Sequence, residues 1–519
     1  MERVTWQREV DELRAREAMA REMGGPEKVA RHTAAGKLTV RERIARLVDP
    51  GSFVEIGATS GFAEYAPDGS LARLSPANFL FGRGRVEGRT VVVEGDDFTV
   101  RGGAADAGLW LKQVAAEQMA NELRLPVVRL VDGSGGGGSV KTLDSPTGRT
   151  YVPRNPAWEW VVRNLATVPT VGLALGSVAG LGAARVVTSH YSIMVKGMSQ
   201  LFVAGPRVVA RTGERLDKEE LGGSHIHARN GSVDDEATSE DEAFDRARRF
   251  LGYLPSSVDE VPPRGPREDD ASRRDDWLVG AVPRDERKVY KMRPIVEAIV
   301  DRGSFLEIGR QWGRSIVTGL ARLDGWPVAV MAGDPYFYGG GWGADTSLKV
   351  TRFVDLAETF HVPMVHLVDN PGFLVGVRAE RAATIRHGAR ALAGVYQATI
   401  PWCSVIVRKC YGVAGAAHCD ASRFHYRYAW PSGDWGSLPI AGGLEAAYKA
   451  ELDRAEDRAA RLAEIERRLQ SVRSPFRTAE AFLVEDIIDP RDTRPLLCEF
   501  ANLAAPLRRP GPARFGMRP

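Results

Sequence analysis

An α/β fold built twice in tandem is what this sequence of 519 residues predicts, and three observations carry it. Stretches of the first half return in the second half in the same order. Each copy runs as apolar strand, glycine-rich turn, amphipathic helix and apolar strand. Between the copies lies a segment rich in proline and charge with little apolar pattern.

The repeat comes first, because self-similarity decides the architecture before any local reading does. DPGSFVEIG at 49–57 returns as DRGSFLEIG at 301–309, and GRGRVEGRTVVV at 82–93 is echoed by GLARLDGWPVAV at 319–330. Lys112 and Lys349, Pro126 and Pro363, and Asp132 and Asp369 are each 237 residues apart. Nine of the 28 positions from Leu109 to Gly136 are identical at that spacing, and chance similarity does not keep register that long.

Within each copy, Val91–Val93 and Val328–Val330 read as buried strand, followed by the turns Arg101–Gly103 and Gly339–Gly341. Leu111, Val114, Ala115, Met119 and Leu123 then predict the apolar side of a helix. A proline opens the next strand, Val127–Val131 or Met364–Val368. Strands alternating with helices imply right-handed βαβ units and a largely parallel sheet, whose ligands sit at the carboxyl ends of the strands. The segment SSVDEVPPRGPREDDASRRDD reads as a linker or exposed strap, so the expected division is 1–255, a linker at 256–283, and 284–519. The tail from Glu445 to Gln470 reads as one long helix, and EDIIDPRDTRPLLCEF after it as a segment that packs back.

Composition narrows the class. With 44% hydrophobic and 26% charged residues the chain is globular, and its length calls for more than one core. Seventy basic against 67 acidic residues leave a net charge of +3, which points to neither nucleic acid nor a membrane surface. The charged N-terminus lacks the apolar centre of a signal peptide, and no run approaches the roughly 18 apolar residues of a membrane span. Four cysteines without a CxxC pair suggest a reducing compartment, so a cytoplasmic location is expected.

Several motifs bear on chemistry. GSGGGG at 133–138 has the letters of a dinucleotide-binding turn, but two prolines and no helix pattern follow it, so it reads as a ligand-lining loop. TVGLALGSVAGLGAARVV at 170–187 and CSVIVRKCYGVAGAAHCD at 403–420 are apolar strands running into small residues. Aligned at a spacing of 233, they pair Gly182 with Gly415 and Ala183 with Ala416. Small residues at a strand end let substrate approach the backbone, and adjacent N–H groups there can hold an oxyanion. Tight helix–strand packing is the competing reading; occurrence in both copies favours the site. Cys403, Cys410, His418 and Cys419 lack the two-to-four-residue pairing of zinc ligands, so no metal is expected. His225, His227 and His387 read as structural histidines, and Asp132 and Asp369 end strands without a visible partner.

Taken together, AAGKLTVRERIARLVDPGSFVEIG, FGRGRVEGRTVVVEGDDFTVRGG, LFVAGPRVV, GERLDKEELGG, GSFLEIG, HVPMVHLVDNPGFLVG, TIRHGARAL and VRKCYGVAGAA resemble the carboxyltransferase (β) subunits of biotin-dependent acyl-CoA carboxylases of the propionyl-CoA and methylcrotonyl-CoA type. They occur in family order on both sides of the linker. The resemblance implies two crotonase-like domains, the first on the acyl-CoA side and the second on the biotin side. It implies transfer of a carboxyl group from carboxybiotin, carried by a partner, to the α-carbon of an acyl-CoA. Enolates on the thioester and on biotin would each be held by a backbone oxyanion hole. The matching amides are Gly180 and Leu181 in the first loop and Val413 and Ala414 in the second. Gly135, Gly136 and Gly182 join the acyl-CoA side, and Gly372, Phe373 and Gly412 the biotin side. The implied partners are a biotin carboxylase or biotin carrier subunit and further copies of this chain in a homohexamer, a trimer of dimers.

The chain also departs from the family. Gly180-Leu181 stands for Gly-Gly, Gly412-Val413-Ala414 for Gly-Gly-Ala, DGSGGGGSVKT for a Ser-Gly-Gly-Ala-Arg segment, and VDNPGF for VDVPGF. Ala416 replaces an acidic residue at a position linked to acyl selectivity. Two alternatives stay open: a decarboxylase of malonyl-CoA-type thioesters running the reverse half-reaction, and a non-catalytic hexamer scaffold.

Overall fold

The computed structural model describes residues 5–104, 108–133, 150, 152, 154–418, 426–438, 440–515 and 517–519. It divides into one unit of Met1–Glu260 with Gly516–Pro519 and another of Val261–Phe515.

The strands of the first unit are Val54–Glu55 (β1), Gly61–Tyr65 (β2), Leu71–Pro76 (β3), Phe79–Val86 (β4), Arg89–Asp96 (β5), Val127–Val131 (β6), Thr170–Ala174 (β7), Ser177–Ala179 (β8), Tyr191–Val195 (β9), Gln200–Phe202 (β10) and Asp235–Ala237 (β11). Seven of them form one sheet in the order β1-β4-β5-β6-β7-β9-β11. β4 and β5 make an antiparallel hairpin, and from β5 to β11 every pairing is parallel. The central strands β6, β7 and β9 are buried along their whole length. A parallel sheet covered on both faces has that property, which is why these strands appear in the sequence as unbroken apolar runs.

The second unit repeats this plan. Its strands are Leu306–Ile308 (β12), Ile316–Leu323 (β13), Trp326–Gly333 (β14), Met364–Asn370 (β15), Trp402–Tyr411 (β16), Tyr426–Ala429 (β17), Asp434–Gly436 (β18) and Asp486–Ile487 (β19). The order is β12-β13-β14-β15-β16-β17-β19, with β18 beside β16. The duplication extends to hydrogen-bond register: Phe79↔Asp96 recurs as Ile316↔Gly333, and Val92↔Val127 as Ala329↔Met364. All four residues of each match keep the 237-residue spacing. Helix Met292–Ile299 lays Met292, Ile295, Val296 and Ile299 on the core with Val317, Val330, Val365 and Val405. That i, i+3, i+4, i+7 spacing is one helical face.

Three expectations change. In helix Trp110–Glu122 the buried side is Lys112, Ala116, Glu117, Ala120 and Asn121, whereas Leu111 and Leu123 are exposed. Polar residues can be buried here because each has a partner: Glu117 takes Arg129 at 2.7 Å, Asn121 donates to Asn164 at 3.0 Å, and Lys112 to the carbonyl of Gly57 at 3.1 Å. The tail is three helices, Ile440–Ala447, Lys449–Leu452 and Arg458–Ser471, folded back so that Leu444, Leu452 and Ile465 share one small core. One straight helix would leave those side chains apart. Residues 261–283 belong to the second unit, where they lie as a strap: Arg264 and Arg267 both pair with Asp324, and Leu278 enters the core. The C-terminal segment does pack back, with Leu497, Phe500 and Ala501 of helix Thr493–Ala504 in the same core.

Candidate active site

In the first unit, β7 passes through Gly176 into β8 and then turns at Gly180 into helix Leu181–Val187. A side chain at Gly176 would collide with the carboxylate of Asp132, so the close approach there requires glycine. Gly180 has φ +60° and ψ −123°, a left-handed conformation that costs an L-residue strain. Its own N–H is already donated to the carbonyl of Phe202 at 3.1 Å, while its carbonyl accepts from Ala184. Among the described residues, Leu181 and Gly182 N–H have no acceptor, as the start of a helix dictates. The side chain of Leu181 is 42% exposed.

The second unit repeats the turn. β16 ends at Tyr411, and Gly412, again at φ +60°, opens the short helix Gly412–Ala416. Val413 is exposed and Ala414 buried; among the described residues neither N–H has an acceptor. Ala416 lies at the end of this helix and is exposed. The two left-handed glycines are 232 residues apart, as are the β7 and β16 partners Thr170 and Trp402 of the repeated strands. The pairing of Gly182 with Gly415 at 233 is therefore one residue out: Gly180 matches Gly412, and Leu181 matches Val413.

Gly372 and Phe373 stand beside the second loop. Asn370, 2% exposed, donates its side-chain amide to the carbonyl of Ala414 at 2.9 Å and accepts the N–H of Gly372 at 2.9 Å. The structure thus brings Gly372, Phe373, Gly412, Val413 and Ala414 into one loop cluster, and Gly180, Leu181 and Gly182 into another. Gly135 and Gly136 lie outside the described residues.

Charge is concentrated below the first loop. Asp132 accepts Arg43 at 2.9 Å and Lys37 at 3.3 Å; the capping box of Thr39 and Glu42 starts the helix Val40–Leu47 that carries Arg43 inward. Asp369 accepts Tyr290 at 2.8 Å and Arg408 at 3.2 Å, so both strand-end carboxylates have partners. Arg185 joins Glu94 at 2.5 Å and Asp96 at 3.5 Å. Burial pushes Glu94 up to about 7 despite Arg185, and it raises Asp96 as well.

Of two cavities in the first unit, one borders the loop and the other lies beside Ser177 of β8. One of about 770 Å³ is lined by Leu181, Gly182, Arg185, Asp96, Trp110 and Trp158. The other, about 580 Å³, is lined by Ser177, Gln200 and Phe98 and by the cations Lys28, Arg31, Lys37, Arg101 and Lys218. Sequence reasoning does not assemble these cations because they are scattered from residue 28 to residue 218; Lys37, Arg101 and Lys218 fall inside motifs, but in three different ones. His227 is structural, with Nε2 at 2.8 Å from the carbonyl of Leu201. Cys403 and Cys410 are buried free thiols, and no cluster of three or more potential metal ligands occurs among the described residues. No helix among them is long and apolar enough to cross a membrane.

Comparison with known proteins agrees with this architecture. The carboxyl transferase domain family matches residues 31–516. The propionyl-CoA carboxylase beta chain of Roseobacter denitrificans is 34% identical over 95% of this chain and 96% of its own length. The methylmalonyl-CoA decarboxylase subunit alpha of Veillonella parvula is 30% identical over 99% of both. A crystal structure of transcarboxylase 12S, a hexamer with methylmalonyl-coenzyme A and methylmalonic acid bound, superposes with a TM-score of 0.86 at 29% identity, covering 99% of each chain. A duplicated sheet with a glycine turn at matching strand ends, and relatives that span nearly the whole chain, lead to one conclusion: this protein belongs to the carboxyl transferase family, as a biotin-dependent carboxyltransferase of the propionyl-CoA and methylcrotonyl-CoA carboxylase type.

Proposed function

We propose that the loop at Gly180 receives an acyl-CoA and the loop at Gly412 receives the biotin of a partner carrier subunit, each through backbone amides aimed at an oxygen that becomes negative. The observation that carries this reading is the repetition of one strained turn, φ +60° at Gly180 and at Gly412, each followed by amides without acceptors among the described residues. The donors differ in one respect from the family pattern. Gly180 N–H is held by Phe202, so Leu181 and Gly182 are the amides offered to the thioester oxygen, with Val413 and Ala414 their counterparts.

Carboxybiotin supplies the group that is transferred, and biotin that has given it up would also offer an acceptor for the α-proton. The chain itself orients the acyl-CoA and stabilises charge on the thioester oxygen while the carboxyl group replaces that proton at the α-carbon. The basic cavity beside Ser177 suits the phosphates of coenzyme A, because clustered Lys and Arg offer charge-assisted hydrogen bonds. The cavity at Leu181 then takes the acyl chain, and Ala416 bears on which chain is accepted. The working assembly is a homohexamer, a trimer of dimers, that meets a biotin carboxylase or biotin carrier subunit in the cytoplasm.

The test is acyl-CoA-dependent fixation of labelled bicarbonate by the purified protein with ATP and a biotin carboxylase/carrier subunit. Label in a malonyl-type thioester is the expected result; none, over a panel of acyl-CoAs and partners, overturns it. The similarity to methylmalonyl-CoA decarboxylase alpha subunits favours a second reading, in which the same loops serve carboxyl transfer from the thioester to biotin. Its mark would be net loss of the thioester carboxyl group through a biotinylated partner without ATP.

A further inference from the structure

We infer that Asn370 is a positioning residue, which sets the loop Gly412–Ala416 against the turn at Gly372–Phe373 and so fixes the geometry of the biotin side. The inference rests on the reading of the second loop given above. Asn370 is the last residue of β15, beyond a slip in the pairing with β16: Val368 faces Ile406, but Asn370 faces Cys410. The slip brings its side chain level with the turn rather than with the strand.

There it uses both ends of one short planar group. Nδ2 donates to the carbonyl of Ala414, Oδ1 accepts from the N–H of Gly372, and both contacts are 2.9 Å. Valine, the family's residue, could make neither bond. An aspartate could accept from Gly372 but would set an oxygen against the Ala414 carbonyl. The far side of the turn is held as firmly: Gly372 accepts from Trp342 N–H at 3.1 Å, and Leu374 donates back to Trp342 at 2.9 Å. Phe373 meets the buried Trp342 edge-on, and a side chain at Gly388 would strike its ring. The turn is therefore a fixed wall, and Asn370 is what ties the loop with the free amides to it.

The repeat supplies an internal control. The position 237 residues before Asn370 is Gly133, which has no side chain, so the clamp was not inherited from the shared fold. In the first unit, among the described residues, that place holds a long backbone contact, from Ala179 N–H to the carbonyl of Gly133 at 3.4 Å.

The experiment follows carboxyl transfer from malonyl-CoA and methylmalonyl-CoA to free biotin, with KM determined separately for thioester and biotin, on the wild type and on N370V, N370D and N370T. Loss of a buried hydrogen bond predicts a biotin KM raised about tenfold in N370V and N370D, with the thioester KM within about twofold of wild type. N370T, which offers a hydroxyl donor one bond nearer the backbone, should recover part of the difference. Amide exchange at 414–417 should quicken in the same order. An unchanged biotin KM in N370D, or a rise in thioester KM instead, overturns the inference while leaving the reaction intact. If N370V does not fold, N370D against N370T decides. A wild-type protein that moves no carboxyl group from either thioester to biotin overturns the assigned reaction, and this inference with it.

Discussion

Gly180 and Gly412 hold the same φ of +60° at the carboxyl ends of equivalent strands in two units of one chain. A turn kept twice in a strained conformation points to a demand on the backbone rather than on any side chain. At Gly180 a β-carbon would meet nothing within 4 Å, so the cost of Gly180→Ala is strain alone. We expect about 1 kcal/mol of stability to be lost by denaturant unfolding. Relief of that strain would rotate the following amides, so kcat should fall far more than stability. A G180A enzyme with full kcat would separate the turn from the chemistry.

The basic cavity predicts a different signature. Lys28 and Lys218 are exposed at its rim, and Lys218 Nζ donates to Ser177 at 3.3 Å. If they meet the phosphates of coenzyme A, they bind substrate and transition state alike. K28A and K218A should then each raise the KM of the thioester about three- to tenfold and leave kcat unchanged. Raising ionic strength should weaken binding in the wild type more than in the double variant. Steady-state kinetics at two salt concentrations measures both.

How much of this was legible in the sequence depends on distance along the chain. The duplication, the alternation of strands and helices and the two small-residue loops all follow from local pattern that recurs in the same order in both halves. Partners do not. Asp132 and Asp369 are equivalent by spacing, yet one is paired with Arg43, 89 residues away, whereas the other accepts a hydrogen bond from Tyr290, 79 away, and pairs with Arg408, 39 away. Those partners come from different elements in the two units, so the repeat could not reveal them. The helix Trp110–Glu122 misleads for a related reason: of its apolar residues Leu111 and Leu123 are exposed and Val114 and Met119 only half-buried, because the sheet beneath it contains Arg129 and so selects Glu117 for the buried side. The loop equivalence slipped by one residue because small residues in succession align equally well at 232 and 233, and only backbone dihedrals distinguish them.

Glu94 predicts a pH effect on stability. It is fully buried, and among the described residues its Oε2 has no hydrogen-bond partner. Burial holds its proton to about pH 7, whereas the unfolded chain releases it near 4.5. A raised acid pKa means that its stabilising contribution is complete below pH 4.5, declines as pH rises and is gone above about pH 7. Glu94→Gln removes the titration. The stability of the wild type relative to E94Q should therefore drop between pH 4.5 and 7.5, by on the order of 2–3 kcal/mol, in paired denaturant titrations. A difference that stays flat, or that grows with pH, would show that Arg185 keeps Glu94 ionised throughout.

The sharpest test of the oxyanion assignment removes one hydrogen atom's worth of chemistry and little else. Leu181 is the first residue of its helix, where its N–H has no place in the helical ladder. Proline is accepted at that position, since its fixed φ suits a first helical residue and the amide it lacks is one the helix does not use. L181P should consequently fold with a melting temperature close to that of L181A, the variant that trims the side chain but keeps the amide. The two should differ in rate. Loss of a backbone donor to a developing oxyanion costs about 10²–10³ in kcat. L181A should keep most of the activity, with any change in the order of preferred acyl chains reporting on the cavity that Leu181 lines. Equal kcat in L181A and L181P would mean that this amide does not meet the reacting oxygen, and Gly182 would remain as the donor on the first loop. A large loss confined to L181P would place the thioester oxygen at the mouth of the Gly180 turn.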